Sequence, residues 1–224
     1  YSTYLGGNID DGATGIAVDA TGAAYVSGFS DSFNLPVTPG AFQPARTPNL
    51  IIPDDPATNF NEFRSVSFGD AFVAKLNGTG ATLDYLTYLG GIQEDTTAGI
   101  AVDGSGNAYV TGYTDSSNFP VADAYRSTLT GSRDIFITKL NSNASALVYS
   151  TYFGGESFNE YATGIALDAA GTPDLLEGAG VGRRLGRARV PVVDAGRGER
   201  RFCRIAAHGG RRAGSARLAF LPVH

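Results

Sequence analysis

Four short motifs recur in the same order along this 224-residue chain, and no other feature constrains its fold as strongly. The first reads YSTYLGG at Tyr1 to Gly7, YLTYLGG at Tyr85 to Gly91 and YSTYFGG at Tyr149 to Gly155. The second, G-I-A-[VL]-D, stands at Gly15 to Asp19, Gly99 to Asp103 and Gly164 to Asp168. The third, Y-V-[ST]-G followed by an aromatic residue and S/T-D-S, runs over Tyr25 to Ser32 and Tyr109 to Ser116. The fourth pairs DAFVAKLN at Asp70 to Asn77 with DIFITKLN at Asp134 to Asn141. From the first copy to the second the offset is 84 for three motifs and 64 for the fourth, so one repeat carries about twenty extra residues, around 46–66.

Each motif has the residue pattern of a strand. Ile16 to Asp19 is a short apolar run, and Tyr25, Ser27 and Phe29 alternate onto one face of the next segment. Between the equivalent segments of the second copy lies Asp103-Gly104-Ser105-Gly106-Asn107, whose Gly and Asn residues tolerate the positive φ of tight turns. Strands one and two are therefore a hairpin. Residues 72–76 and 135–140 are apolar at nearly every position, as in a strand covered on both faces, and 82–89 supplies a fourth strand. Four short antiparallel strands per repeat make a β-propeller blade, so the expected fold is all-β: two complete blades, about 15–91 and 99–155, with flanking strands. The extra residues at 46–66, with three prolines and no strand period, are expected to form a surface loop between strands two and three.

The quoted motifs, in that order, resemble the bacterial SBBP beta-propeller repeat family over residues 1–172. The resemblance implies a ring of blades in secreted or cell-surface bacterial proteins, hence an extracellular location, and it brings no catalytic residues. The chain holds strand four of one blade, two full blades and strand one of another, fewer than the four to eight blades that close a ring. It therefore reads as a segment of a propeller, or as one partner in an assembly with further blades.

Composition narrows the function classes. No run approaches the roughly 20 apolar residues of a membrane-spanning helix, so no transmembrane segment is expected. A single Cys excludes an internal disulfide and a cysteine-built zinc site, and two His leave little for imidazole catalysis. No G-x-S-x-G elbow or phosphate-binding glycine loop is present, and no cofactor, metal or nucleic-acid partner is expected. The chain is read as a non-catalytic scaffold for a protein or glycan ligand. The alternative is a propeller hydrolase or lyase whose catalytic residues lie on other blades.

The candidate sites are repeat positions. Asp10, Asp11, Glu94, Asp95, Glu156 and Glu160 fall between strand four and the next strand one, so they share one face of a propeller. Such carboxylates could ring a cation or a basic partner. An Asp beside a turn also bonds its own backbone, and that reading is preferred. Asp19, Asp103 and Asp168 are read as hairpin-turn residues. Lys75 and Lys139, the only two lysines, are read as structural, each pairing with an acid while its stem packs.

Beyond Thr172 the chain changes character. Residues 1–172 hold four Arg, two Lys and eighteen acids, net −12, whereas 173–224 hold eleven Arg, no Lys and four acids, net +7. A Y-V-T-G strand is due after Gly171, and Pro173-Asp174-Leu175-Leu176 stands there instead. A reading-frame shift in a GC-rich gene is the preferred reading, ahead of a diverged blade or a basic tail, and it makes 173–224 an irregular, unpacked stretch.

Overall fold

The computed structural model describes residues 1–48, 69–155, 160–168 and 171–177, together with the backbone strands at 189–193, 200–204 and 219–220. Among these residues all regular structure is β-strand. The first sheet has the order β1 (Asp11–Val18), β2 (Ala24–Ser30), β3 (Asp70–Leu76), β4 (Leu83–Leu89). The second repeats it with β5 (Asp95–Val102), β6 (Ala108–Thr114), β7 (Asp134–Leu140) and β8 (Leu147–Phe153). Every neighbouring pair is antiparallel, and the two sheets stack as propeller blades. A third blade begins with β9 (Ala162–Leu167) and β10 (Pro173–Glu177).

The first strand of each blade is longer than its apolar run suggests, starting at Asp11 and Asp95 rather than at residues 15 and 99. A β-bulge accounts for the difference. The register between strands one and two skips a residue between Ala13 and Gly15, and again between Thr97 and Gly99, so polar residues ahead of the glycine still pair with β2 and β6. The glycine then lies inside the strand, where neighbouring blades come closest: a Cβ on Gly15 would stand 3.1 Å from the Gly99 Cα.

Three apolar clusters follow from this stacking. Tyr25, Val73, Tyr85 and Leu89 of the first blade meet Ile100, Val110, Phe136 and Tyr152 of the second. Ile135, Ile137, Tyr149 and Phe153 of the second blade meet Ala162 and Leu175 of the third. Each fully buried aliphatic side chain contributes about 1.5–3 kcal/mol, so the blades are joined chiefly by apolar burial. The opposite face of the first blade, with Phe72, Leu86 and Tyr88, is covered by Leu35 and Val37 of the β2–β3 connection and by Leu5. On its inner strand, however, Ile16 and Val18 are 68 % and 60 % exposed, while the equivalent Ile100 is 7 % exposed.

The structure departs from the sequence reading in several places. Tyr1–Gly7 carries the motif of β4 and β8 but forms no strand, and Tyr4 is fully exposed. A strand exists only through hydrogen bonds to a neighbour, and among the described residues no β3 equivalent lies beside this segment. The β2–β3 connection is more than a surface loop: Thr38 and Gln43 hydrogen-bond along Leu86 and Tyr88 of β4, while Ala122 and Arg126 do the same along Ser150 and Tyr152 of β8. This covers the outer edge of each sheet, which would otherwise present unpaired backbone groups. Arg46, assigned to the loop, is 4 % exposed; residues 49–66 of that loop lie outside the described residues.

The stretch expected to be irregular from residue 173 opens with a strand. Pro173 to Glu177 pair with β9 across the same bulge, and Leu175, 1 % exposed, occupies the place that Val26 and Val110 hold in the earlier blades. Further on, β11 (Arg189–Val193), β12 (Arg200–Arg204) and β13 (Ala219–Phe220) form a three-stranded antiparallel sheet. The rest of 178–224, with His208 and His224, lies outside the described residues.

Candidate functional site

β1 runs from Asp11 to Val18, so the acidic loops and the hairpin aspartates lie at opposite ends of each blade. The hairpin end is built by one device used three times. Asp19 Oδ1 accepts from the backbone N–H groups of Thr21 and Ala23 at 2.9 and 3.1 Å, and Asp103 Oδ1 accepts from Ser105 and Asn107 at 3.0 Å each. Asp168 accepts from the Thr172 N–H at 2.9 Å. The fourth residue of each turn is glycine with positive φ: Gly22 at 82°, Gly106 at 80° and Gly171 at 76°. The Thr21 hydroxyl, followed by the two N–H groups, holds the Asp19 carboxyl down to about 2. Partial burial opposes the same effect at Asp103, but the Asn107 amide and backbone N–H and the Lys139 charge hold it below the usual carboxylate range.

The two lysines complete this node. Lys75 Nζ stands 3.9 Å from Asp19 Oδ2, 3.6 Å from Asp84 Oδ2 and 5.0 Å above the Tyr25 ring. Lys139 Nζ stands 3.3 Å from Asp103 Oδ2 and 4.6 Å above the Tyr109 ring. The Tyr25 and Tyr109 hydroxyls donate to the same two aspartates at 3.2 and 3.1 Å. Lysine, phenol and carboxylate thus tie β3 to the β1–β2 hairpin, with the ammonium engaged by charge and ring face together.

At the other end the acids are of two kinds. Asp11, Asp95 and Glu160 occupy equivalent positions and close the loop after each glycine pair onto itself: they accept from the backbone N–H of Gly7 at 2.7 Å, Gly91 at 2.7 Å and Gly155 at 2.8 Å. Asp11 also accepts from the Ser30 and Ser32 hydroxyls, and Asp95 from Ser116 at 2.9 Å. Asp10 and Glu94 stand one position earlier; Asp10 is exposed, whereas Glu94 is half-buried and accepts from the Tyr113 hydroxyl at 2.7 Å. Glu156 lies outside the described residues. Among the described residues no three carboxylate, His or Cys groups are placed to hold a metal ion.

Sequence reasoning missed two features at this end. Arg133 forms a fork on Asp115, with Nε to Oδ1 at 2.5 Å and Nη2 to Oδ2 at 2.7 Å, and also reaches Glu94 Oε2 at 2.8 Å. Its guanidinium lies 4.0 Å from the Tyr113 ring centre and 5.2 Å from that of Tyr161, with Nη1 on the Tyr161 hydroxyl at 3.0 Å, so it joins the second blade to the third. The first blade has Gly69 at the corresponding place, which is why no repeat signal exposes this arginine. The second feature is the burial of the carboxyls at the first residues of β3, β5 and β7: Asp70 and Asp134, which the sequence did not single out, and Asp95, which it named only as a loop acid, are each 0 % exposed. Burial pushes Asp70 up to about 7 against the opposing Thr47 N–H, Arg46 and Gln43, and raises Asp95 and Asp134 as well.

The concave space nearest this end, about 420 Å³, lies between the first blade's β2–β3 connection and the second blade, lined by Phe42, Gln43, Arg46, Thr47, Gly90 and Asn118 among others. Its polar groups are already engaged: Gln43 bridges Asp70, Thr47 and the Gly90 N–H, and Asn118 accepts from the Ile92 N–H. No helix among the described residues is long and apolar enough to cross a membrane.

Residues 84–120, from β4 through β5 and β6, match the family model described as SBBP: Beta-propeller repeat. No curated protein matches the chain.

Proposed function

We propose that this chain, which carries an SBBP beta-propeller repeat at 84–120, is a non-catalytic binding scaffold of a secreted or cell-surface bacterial protein, with a protein or glycan as its ligand. One observation carries this reading. The polar side chains that recur from blade to blade are spent on the fold itself: Asp19 and Asp103 on their turns, Lys75 and Lys139 on those aspartates, Asp11 and Asp95 on the glycine loops. Recognition then falls to positions that differ between blades, such as Phe33, Tyr125 and Tyr161, all exposed on the connections outside the strands. A rigid framework with variable loops suits binding, because the loops are ordered before the ligand arrives.

Two measurements test this. The purified chain is applied to a glycan array and, separately, to a panel of glycoside, ester and polysaccharide-lyase substrates. Saturable binding without turnover supports the reading. Turnover that persists through purification overturns it in favour of a propeller enzyme. Protease shaving of intact cells expressing the natural gene tests location: release of fragments places the protein on the surface, and recovery only from the cytoplasm refutes the secreted assignment.

A further inference from the structure

At each blade junction two carboxyl groups meet, one from each blade. Asp70 opens β3 and Asp95 opens β5; they flank Gly90, where a Cβ would stand 2.7 Å from the Asp70 carboxyl carbon and 2.8 Å from Asp95 Oδ2. Asp134, which opens β7, and Glu160, just ahead of β9, converge in the same way on Gly154, whose Cβ would collide with both carboxyls.

The charge balance at both junctions points the same way. Facing Asp70 from the β2–β3 connection are Arg46, with Nε 3.9 Å from Oδ1, the Thr47 N–H at 3.0 Å and the Gln43 amide at 3.2 Å. Facing Asp95 from its own blade are the Gly91 N–H and the Ser116 and Thr114 hydroxyls. The phenols of Tyr88 on β4 and Tyr152 on β8 also lie within electrostatic reach of Asp70 and Asp95 respectively, and both are held neutral by burial. Arg126 is the cation beside Asp134 and Glu160, with the Thr130 and Gly155 N–H groups as donors. Among the described residues, the first junction sets the Arg46 guanidinium, which also faces Asp31, against two fully buried carboxyls, and the second sets Arg126 against the buried Asp134 and the half-buried Glu160. Among the described residues a second negative charge there finds only neutral donors and no second cation, and retaining a proton removes it.

We infer that each junction is a proton-dependent clasp: the carboxyl pair closes one blade on the next while it holds a proton, and the junction loosens when pH rises and the proton leaves. Desolvation, the largest influence on all four groups, raises every one of them. A carboxyl with a folded-state value above its unfolded one contributes stability that is complete below the ordinary carboxylate range and is lost as pH rises through the folded value. The inference concerns the joint between blades and is independent of what the scaffold binds.

Urea unfolding of the full chain at pH 5 to 9 tests the clasp. Over the part of that range below about pH 7, where Asp70 titrates, the unfolding constant is expected to rise about tenfold per pH unit for each proton held. Asp95→Asn keeps the shape and cannot ionise, so it is expected to make the slope shallower. Stability that is flat or rises with pH, or an Asp95→Asn protein with the wild-type slope, overturns the clasp. Should Asp95→Asn not fold, Glu160→Gln makes the same test at the second junction. Infrared spectroscopy of the wild-type chain near neutral pH needs no variant: the carbonyl band of a protonated carboxylic acid is expected in the folded protein and lost in urea, and its absence from the folded protein also overturns the clasp.

Discussion

Gly99 faces Gly164 so closely that a Cβ on Gly99 would stand 3.0 Å from the Gly164 Cα. Both are the first glycine of the G-I-A-[VL]-D motif, and the contact is backbone against backbone, where no side chain can swing aside. Gly99→Ala is expected to force the inner strands of the second and third blades apart at a cost of about 1–3 kcal/mol. Gly104→Ala, at a turn position with open space around it, is expected to stay within about 0.5 kcal/mol of wild type. Urea denaturation of the two variants side by side measures the difference.

The hydroxyl of Tyr152 donates to the Ser116 carbonyl at 2.7 Å and accepts from the Phe119 N–H at 2.9 Å, as Tyr88 does with Ser32 and Leu35 in the first blade. Burial pushes this phenol up to about 12, so it remains a donor throughout the ordinary pH range. Tyr152→Phe leaves the Phe119 N–H and the Ser116 carbonyl with only their 3.3 Å bond to each other and is expected to cost about 1 kcal/mol. Tyr85 is also buried, but its hydroxyl has no hydrogen-bond partner among the described residues. Tyr85→Phe is accordingly expected to be neutral or stabilising in thermal melts.

Asp19 and Asp103 respond to pH with the opposite sign to the buried junction carboxyls. Their folded-state values are depressed, so the stability they contribute is present above the ordinary carboxylate range and is lost as pH falls, down to about 2 for Asp19. Melting temperature is expected to drop as pH falls from 4 to 2. Asp19→Asn is expected to flatten that part of the profile.

Replacing Arg133 with Lys is not conservative. The fork on Asp115 and the stacking between Tyr113 and Tyr161 both need a planar guanidinium. Arg133→Lys is expected to speed amide exchange in β9 and β10 while leaving β1–β4 unchanged. Equal acceleration in both regions contradicts a role for this arginine in holding the third blade.

Ile16 and Val18 present an open apolar strip on the inner strand of the first blade. The chain is expected to self-associate as its concentration rises, and an Ile16→Ser/Val18→Ser double variant is expected to shift sedimentation toward monomer. A wild-type chain that stays monomeric across the same concentrations contradicts this.

Much of the fold is legible in the residues. The β2, β3, β6 and β7 segments read clearly because tyrosine, β-branched residues and alternating burial make a local signal, and a D-x-x-G turn identifies each hairpin. Asp11 to Thr14 carry no such signal; they join β1 only because a bulge lets them pair with β2. The site is less legible. Arg133 and Asp115 are 18 positions apart and Asp70 and Asp95 are 25 apart, and their meeting depends on how whole sheets stack.

By itself the sequence determined which positions are equivalent, how many strands a blade has, and where its turns fall, because those properties reside in short-range propensity and periodicity. Only the tertiary structure decided what becomes of equivalent residues. Tyr4, Tyr88 and Tyr152 share one motif position, yet Tyr4 is fully exposed while the other two are buried. Ile16 faces open space, and Ile100 is sealed by the blade before it. Burial, and with it the protonation of each carboxyl, is a property of the neighbouring blade and cannot be read from the residue's own motif.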